Sequence, residues 1–391
     1  MANVYLKKGR ETPVFRGHPW IFSGAIETTD GDAQAPGIAD VFDYQRNWIA
    51  RGLFSPKSQI RVRVLTAQKE AIDHDFFTRR FSQAFGVREK FLSGTTNSYR
   101  LVNGEGDLLP GLIVDRYVDF LVCQFFTSGM DAVKDTIVSS LMSLFPVKGI
   151  FERSEGRVRE EEELEPAVGV LAGEAPPQLI VIEENGFKFL VDVRRGQKTG
   201  FFLDQRDSRS FLGSVAREQT ILNCFAYTGA FSVYGLGRGA KEVISLDSSR
   251  PALELAKQQL ALNHLSASDD QLVKADAFTY LKECRSVYDI VILDPPALAR
   301  RRGDVEAAAG GYKFLNLHGL RLVKPEGLLL TFSCSQHLPL DIFQKVVFGA
   351  AVDAGRKLSI LKRLGHSIDH PVSLHHPEGE YLKGLVLRVL D

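Results

Sequence analysis

Cys334 closes an apolar run, Leu328-Leu-Leu-Thr-Phe-Ser-Cys-Ser335, with a serine on either side. Asp294 closes another, Ile290-Val-Ile-Leu-Asp-Pro-Pro296, and the two prolines behind it lock φ into a rigid corner. An ionised thiol is a strong nucleophile, and covalent catalysis splits one hard step into easier ones. Methylation of a pyrimidine at carbon 5 needs such help, because that carbon is barely nucleophilic. A thiolate adding to carbon 6 turns the ring into an enamine-like species that can attack a sulfonium methyl. The base must be exposed or flipped out of its stack to be reached. A small buried residue is the other reading of Cys334, and a strand-ending turn residue the other reading of Asp294. Cys123, Cys224 and Cys284 are read as packing residues only.

Three more polar positions follow apolar runs. The first is the turn Asn223-Cys-Phe-Ala-Tyr-Thr-Gly-Ala-Phe231, where Gly229 would let backbone approach a ligand closely. The second is Asp247, followed by Ser248, placed to accept hydrogen bonds from the two ribose hydroxyls of an adenosine. The third is Asp276-Ala277, where an adenine edge would lie. Together they describe a nucleoside-cofactor pocket. Taken singly, Gly229 could be a structural turn, and Asp247, Ser248 and Ser249 all suit a helix N-cap. A G-x-G-x-x-G pattern is missing, which argues against a pyridine-nucleotide dehydrogenase.

These residues need a scaffold that delivers strand ends to one edge. From about residue 183, short apolar strands (221–225, 242–246, 271–273, 288–293 and 327–332) alternate with helical stretches such as 250–263 and 311–322. Such alternation predicts a parallel sheet flanked by helices, with ligands bound beyond the carboxyl ends of its strands. Residues 1–70 read as all-β, and Ile60-Arg-Val-Arg-Val-Leu65 alternates so that Arg61 and Arg63 share one face of a small barrel. A helix is predicted over 72–92 from Phe76, Phe77, Phe81, Ala84 and Phe85. Strands are expected at 111–117, 120–126 and 150–152, a helix at 131–144, and a loop or irregular hairpin at 154–178. The expected domains are therefore 1–70, 71–182 and 183–391.

The chain has 391 residues, 44% hydrophobic and 25% charged, which fits a globular protein with more than one core. Lys plus Arg equals Asp plus Glu at 48 each, a mild argument against a nucleic-acid partner. Residues 1–70 nevertheless carry ten Lys and Arg against seven Asp and Glu, a net +3. The acidic run Glu160–Glu163 with Glu165 reads as a solvated loop. No stretch resembles a signal peptide or a membrane helix, so a cytoplasmic protein without a membrane partner is expected. The four cysteines form no CxxC pair, and no metal site is expected.

Several motifs carry a family resemblance. Gly17-His-Pro-Trp-Ile-Phe-Ser-Gly-Ala25, Lys198-Thr-Gly-Phe-Phe-Leu-Asp-Gln-Arg206, Asn223–Gly229, Asp294-Pro-Pro296, Thr331–Ser335, Asp369-His-Pro-Val372, Pro377-Glu-Gly379 and Tyr381-Leu-Lys-Gly384 resemble the bacterial large-subunit ribosomal RNA cytosine-5 methyltransferases. They run in order along nearly the whole chain. The resemblance implies an N-terminal PUA domain, a central α+β RNA-recognition domain called EEHEAD, and a C-terminal Rossmann-like methyltransferase domain that uses S-adenosylmethionine. It implies that Phe201, Asp204, Gln205 and Arg206 help enclose the cofactor, and that Asn223, Phe225, Tyr227, Gly229, Asp247, Asp276 and Asp294 line it. Cys334 would be the nucleophile, with Asp294 bonding the cytosine edge near nitrogen 3. Two departures stand out. Pro296 occupies the place where many RNA cytosine-5 enzymes have a second cysteine, and Ala297-Leu298 replace the usual Lys and Phe, followed by Arg300, Arg301 and Arg302.

The implied partner is 23S ribosomal RNA, naked or in a large-subunit precursor, with a homodimer as an option. Arg61, Arg63, Arg194, Arg195, Lys198 and the Arg300 cluster are candidates for phosphate neutralisation, against surface charge as the alternative. His370 and Pro371 are read as substrate-positioning residues or as a structural turn. Two rival functions remain: uracil-5 methylation, and an RNA-binding or assembly factor with an idle pocket.

Overall fold

The computed structural model describes residues 1–299 and 301–391, without the side chain of Arg302. By contacts the chain forms two compact units. The first comprises 1–182, 191–203 and 368–379; the second comprises 183–190, 204–367 and 380–391.

The first unit begins with a six-stranded sheet: β1 (Ala2–Leu6), β2 (Trp20–Phe22), β3 (Ile26–Gly31), β4 (Gly37–Phe42), β5 (Trp48–Phe54) and β6 (Ile60–Thr66), with a single turn of helix, α1 (Thr12–Phe15), before β2. The strand order is β2-β6-β5-β4-β1-β3. Val4, Leu6, Val41, Ala50 and Val62 fill its core. The long helix α2 (His74–Phe91) follows, capped by Asp73, whose carboxylate accepts the Phe76 N–H at 3.0 Å. Its phenylalanines 76, 77 and 81 are fully buried, as their three- and four-residue spacing predicts. A second sheet holds β7 (Ser98–Asn103), β8 (Leu112–Tyr117), β9 (Phe120–Phe125), β10 (Gly149–Ser154) and β11 (Ala167–Gly173), in the order β11-β10-β9-β8-β7. Helices α3 (Ser128–Asp131), α4 (Lys134–Leu144) and α5 (Arg157–Glu161) join these strands.

Three expectations are refined here. The helix expected over 131–144 is α4, which starts at Lys134, and the short α3 precedes it. Of the loop or irregular hairpin expected over 154–178, the structure shows the hairpin: after α5 the edge strand β11 pairs antiparallel with β10, with a register shift at Ile150/Phe151. Glycines 169 and 173 and the half-exposed faces of β11 hide the strand from a periodicity reading. The acidic run is not wholly solvated either. Glu162 is buried and lies 3.0 Å from the Arg63 guanidinium, which is buried as well. Residues 60–66 form the strand β6, but burial along it does not alternate and Arg63 is covered, so this arginine is a core ion-pair partner rather than surface charge.

A hairpin, β12 (Ile180–Glu184) and β13 (Phe187–Val191), precedes the second unit's main sheet. That sheet contains β14 (Thr220–Cys224), β15 (Glu242–Asp247), β16 (Leu272–Lys274), β17 (Tyr288–Leu293), β18 (Val323–Ser333), β19 (Leu358–Leu364) and β20 (Lys383–Val389). The order is β16-β15-β14-β17-β18-β20-β19. The first five strands are parallel, and β20 runs antiparallel to both β18 and β19. Helices α6 (Arg206–Val215), α7 (Ala230–Gly237), α8 (Arg250–Leu262), α9 (Ala277–Glu283), α10 (Val305–Leu322) and α11 (Leu340–Ala354) accompany it. Both faces of the sheet are buried. Leu222, Val291, Leu293 and Leu329 enter one core, and Ile221, Ile290, Ile292 and Leu330 enter another. This is a Rossmann-like α/β unit. No helix among the described residues is long and apolar enough to cross a membrane.

Candidate active site

Five parallel strands put five carboxyl ends on one edge of the sheet, and the residues there are those with chemistry. Asn223 and Cys224 end β14, Asp247 ends β15, Asp276 follows β16, Asp294 follows β17, and Cys334 follows β18. Cross-strand register links the ends: Cys224 lies opposite Leu293, and Leu293 opposite Thr331.

The turn after β14 is conformationally costly. Phe225 has φ 60° and Tyr227 φ 47°, left-handed values that bulky residues rarely adopt and that cluster at functional sites. Asp247 holds this turn. One carboxylate oxygen accepts the Tyr227 N–H at 2.8 Å and the other accepts the Ser249 N–H at 2.8 Å. The N-cap of α8 is Ser249, not Asp247 or Ser248; its hydroxyl accepts from Ala252. Asp247 is therefore half-buried with its carboxylate tying two turns together, while Ser248 is exposed. Gly229 has φ 75°, and a Cβ there would meet the Cβ of Ala256 at 2.8 Å. Its backbone freedom thus serves the turn and the close packing of α8. The Asp276 carboxylate caps α9 by accepting the Thr279 N–H at 2.9 Å, with Ala277 buried behind it.

Asp204, Gln205 and Arg206 start α6 and are all buried. Gln205 Nε2 donates to Asp294 Oδ2 at 3.0 Å, so Asp294 is oriented from a second element. Asp204 accepts the Tyr381 hydroxyl at 2.6 Å. Arg206 faces the buried Glu184, Nε to Oε2 3.7 Å, and Glu184 is also paired with Arg209 at 2.7 Å. Phe201 is buried too, but in the first unit.

Cys334 is half-buried, and its thiol donates to the Pro295 carbonyl at 3.7 Å, which sets the sulfur beside the Asp294-Pro-Pro corner. Cys334 packs in part against an apolar cluster that includes Phe332 and Leu382, and the polar contacts lie beside it in the chain: Ser335 Oγ meets the Tyr312 hydroxyl at 2.9 Å, and the Ser335 carbonyl accepts from Lys383 Nζ at 2.6 Å. Burial pushes the Cys123 and Cys224 thiols well up, as inert packing cysteines require. Nothing local in the sequence marks a role for Tyr381 or Lys383; their contacts to Asp204 and to Ser335 arise only when β20 is laid beside β18.

His370 and Pro371 belong to the first unit. There His370 Nδ1 meets Asp369 Oδ1 at 3.0 Å, and the Pro371 carbonyl accepts from Asn103 at 2.9 Å. Arg194, Arg195, Lys198 and Arg301 are exposed. Arg300 and the Arg302 side chain lie outside the described residues.

A model described as S-adenosylmethionine-dependent methyltransferase matches residues 154–344, and one described as a PUA-like domain matches residues 4–67. The protein "Ribosomal RNA large subunit methyltransferase I" of Tolumonas auensis is 47% identical over all of both chains, and that of Aliivibrio fischeri 44%. The chain belongs to the ribosomal RNA large subunit methyltransferase I family. The crystal structure of SMU.776 complexed with SAH aligns over all of both chains at TM-score 0.86 and 26% identity. A second solved chain, from Streptococcus mutans, aligns over the same span at TM-score 0.84 and 26% identity.

S-adenosylmethionine is the cofactor of this family member, and the sheet edge suits it. Asn223 Oδ1 and Gln205 Oε1 are buried acceptors without a hydrogen-bond partner among the described residues, a costly state that donors of a bound ligand would relieve. Asp247 keeps lone pairs beyond those given to Tyr227 and Ser249, as contact with two ribose hydroxyls requires.

Proposed function

We propose that this chain methylates carbon 5 of a cytosine in the 23S ribosomal RNA of the large subunit, in the cytoplasm, with Cys334 as transient nucleophile. One observation carries the reading: the Cys334 thiol sits 3.7 Å from the Pro295 carbonyl, at the Asp294-Pro-Pro corner and on the carboxyl edge of the sheet. The relatives' shared name and the PUA-like N-terminal domain support ribosomal RNA as the substrate class. Residues 1–70, 71–182 and 183–391 would then serve as PUA-like, EEHEAD-like and methyltransferase domains.

The cofactor supplies an electrophilic methyl group. Asp247, Asn223, Gln205 and the turn carrying Phe225, Tyr227 and Gly229 would hold it, with Ser248, Asp276, Ala277, Asp204 and Arg206 as further contacts. The Cys334 thiolate forms a bond to carbon 6, and the electron pair released from the 5,6 double bond makes carbon 5 nucleophilic. As the adduct forms, nitrogen 3 takes up a proton from a water molecule, and Asp294, oriented by Gln205, accepts the hydrogen bond from that N–H and so stabilises the adduct. After methyl transfer the proton on carbon 5 passes to a water molecule, its electron pair restores the 5,6 double bond as the sulfur–carbon bond breaks to return the thiolate, and nitrogen 3 gives its proton back to solvent.

Nucleoside mass spectrometry of 23S RNA incubated with the enzyme and labelled cofactor tests this. Labelled 5-methylcytidine is the expected product. Labelled methyluridine would replace the reading with uracil-5 chemistry. RNA binding without cofactor binding or product would replace it with a non-catalytic assembly role.

A further inference from the structure

Lys383 is the first residue of β20 and is 4% exposed. It lies opposite Ser333 in the β18–β20 ladder, and its Nζ donates to the Ser335 carbonyl at 2.6 Å. The ammonium thus reaches across the chain at the residue between them, Cys334. Among the described residues this buried lysine has no carboxylate ion-pair partner. A buried cation without a counter-ion is expensive and is normally paired or discharged. The thiol has the opposite problem. Its proton points at the Pro295 carbonyl oxygen, so a thiolate formed there would face a partial negative charge.

We propose that Lys383 is the positioning residue that makes Cys334 reactive, its ammonium serving as counter-ion to the thiolate. This rests on the reading of Cys334 as nucleophile. Burial drives the Lys383 ammonium down to about 8, opposed by the charges of Cys334 and Glu380. At pH 7 the group is still mostly protonated, so the cation is present when the thiol must ionise. Among the described residues, titratable groups near the pair include Glu380, which is exposed, Tyr312, whose hydroxyl meets Ser335 Oγ, Asp294 before Pro295, and His366, whose Nε2 accepts the Leu382 N–H. Tyr312 is held above its ordinary value, by burial first, and stays neutral.

The test is the pH profile of Cys334 alkylation by iodoacetamide in the full-length enzyme, read by peptide mass spectrometry, with Cys284 as internal reference. In Lys383→Met the Cys334 midpoint should move up by about one pH unit, the low end for loss of a nearby opposite charge. Lys383→Gln, which keeps a donor for the Ser335 carbonyl but no charge, should show the same shift and serves alone if the Met variant does not fold. Lys383→Arg should restore most of the wild-type profile. Profiles of Met and Gln variants that superimpose on wild type overturn the proposal. So does a shift in Met but not Gln, which would assign the effect to the hydrogen bond. The titration needs no RNA. Turnover retained by Cys334→Ala would remove the nucleophile reading while leaving the shift intact, so the two failures are separable.

Discussion

Replacing Arg63 with methionine separates two roles that a sequence reading cannot. As a phosphate contact, Arg63 would lie on the surface; in the structure its side chain is 6% exposed and that of Glu162 2%, with 3.0 Å between them. Breaking a buried pair by removing one partner costs ~3–5 kcal/mol, because the remaining charge is uncompensated. Here the Glu162 carboxylate keeps the Ser128 N–H at 3.1 Å and the Ser128 hydroxyl at 3.2 Å, which places the loss near the lower end. For a unit of this size ~3 kcal/mol corresponds to a fall of roughly 6–12 °C in Tm. Thermal and urea unfolding of Arg63→Met, Glu162→Gln and the double variant measure it, and the double variant should recover part of the loss. The pH dependence has a defined sign. Arg63 and hydrogen bonds from Ser58, Ser128 and Ser55 outweigh burial and hold the Glu162 carboxyl below its usual range. The pair's contribution is therefore present above the unfolded carboxyl pKa of ~4.3 and is lost as pH falls through the lower folded value. In Arg63→Met only burial and the serine contacts remain, so the gap to wild type should narrow on acidification. An unchanged Tm, combined with weaker RNA binding whose salt slope falls by about one, would refute the buried-pair reasoning and restore Arg63 to the RNA surface.

Further outcomes follow from the catalytic edge. Cys334→Ala should abolish turnover, with cofactor affinity by calorimetry changed less than about twofold, since the thiol acts on the base; normal turnover would end the covalent route. Asp247→Ala removes the acceptor for the Tyr227 and Ser249 amides as well as the proposed ribose contact, and should weaken cofactor binding at least tenfold, about 1.4 kcal/mol. Wild-type affinity in that variant would remove Asp247 from the pocket. Gly229→Ala forces a Cβ to 2.8 Å from that of Ala256 at φ 75°, and should lower stability by ~1–3 kcal/mol in chemical unfolding. An unchanged unfolding midpoint would mean that α8 moves away at no cost.

The sequence by itself determined the order of strands and helices from β14 to β18 and the polar residue at each strand end. Those signals are local: period, turn residues and prolines act within a few positions of one another. It also marked α2, because its phenylalanine spacing is local too. What tertiary structure decided involves partners far apart in the chain. Glu162 looks like one of four solvated glutamates until Arg63 meets it from β6. Val191–Leu203 and Ile368–Gly379 belong to the first unit although they fall inside the stretch assigned to the second. Lys383 became a neighbour of Cys334 only because β20 pairs antiparallel with β18, in a register that sets it opposite Ser333. Local propensity shows that Lys383-Gly-Leu-Val-Leu-Arg-Val389 can be a strand. Which strand it joins, and in which register, is settled by the burial of both sheet faces, which no window of adjacent residues contains.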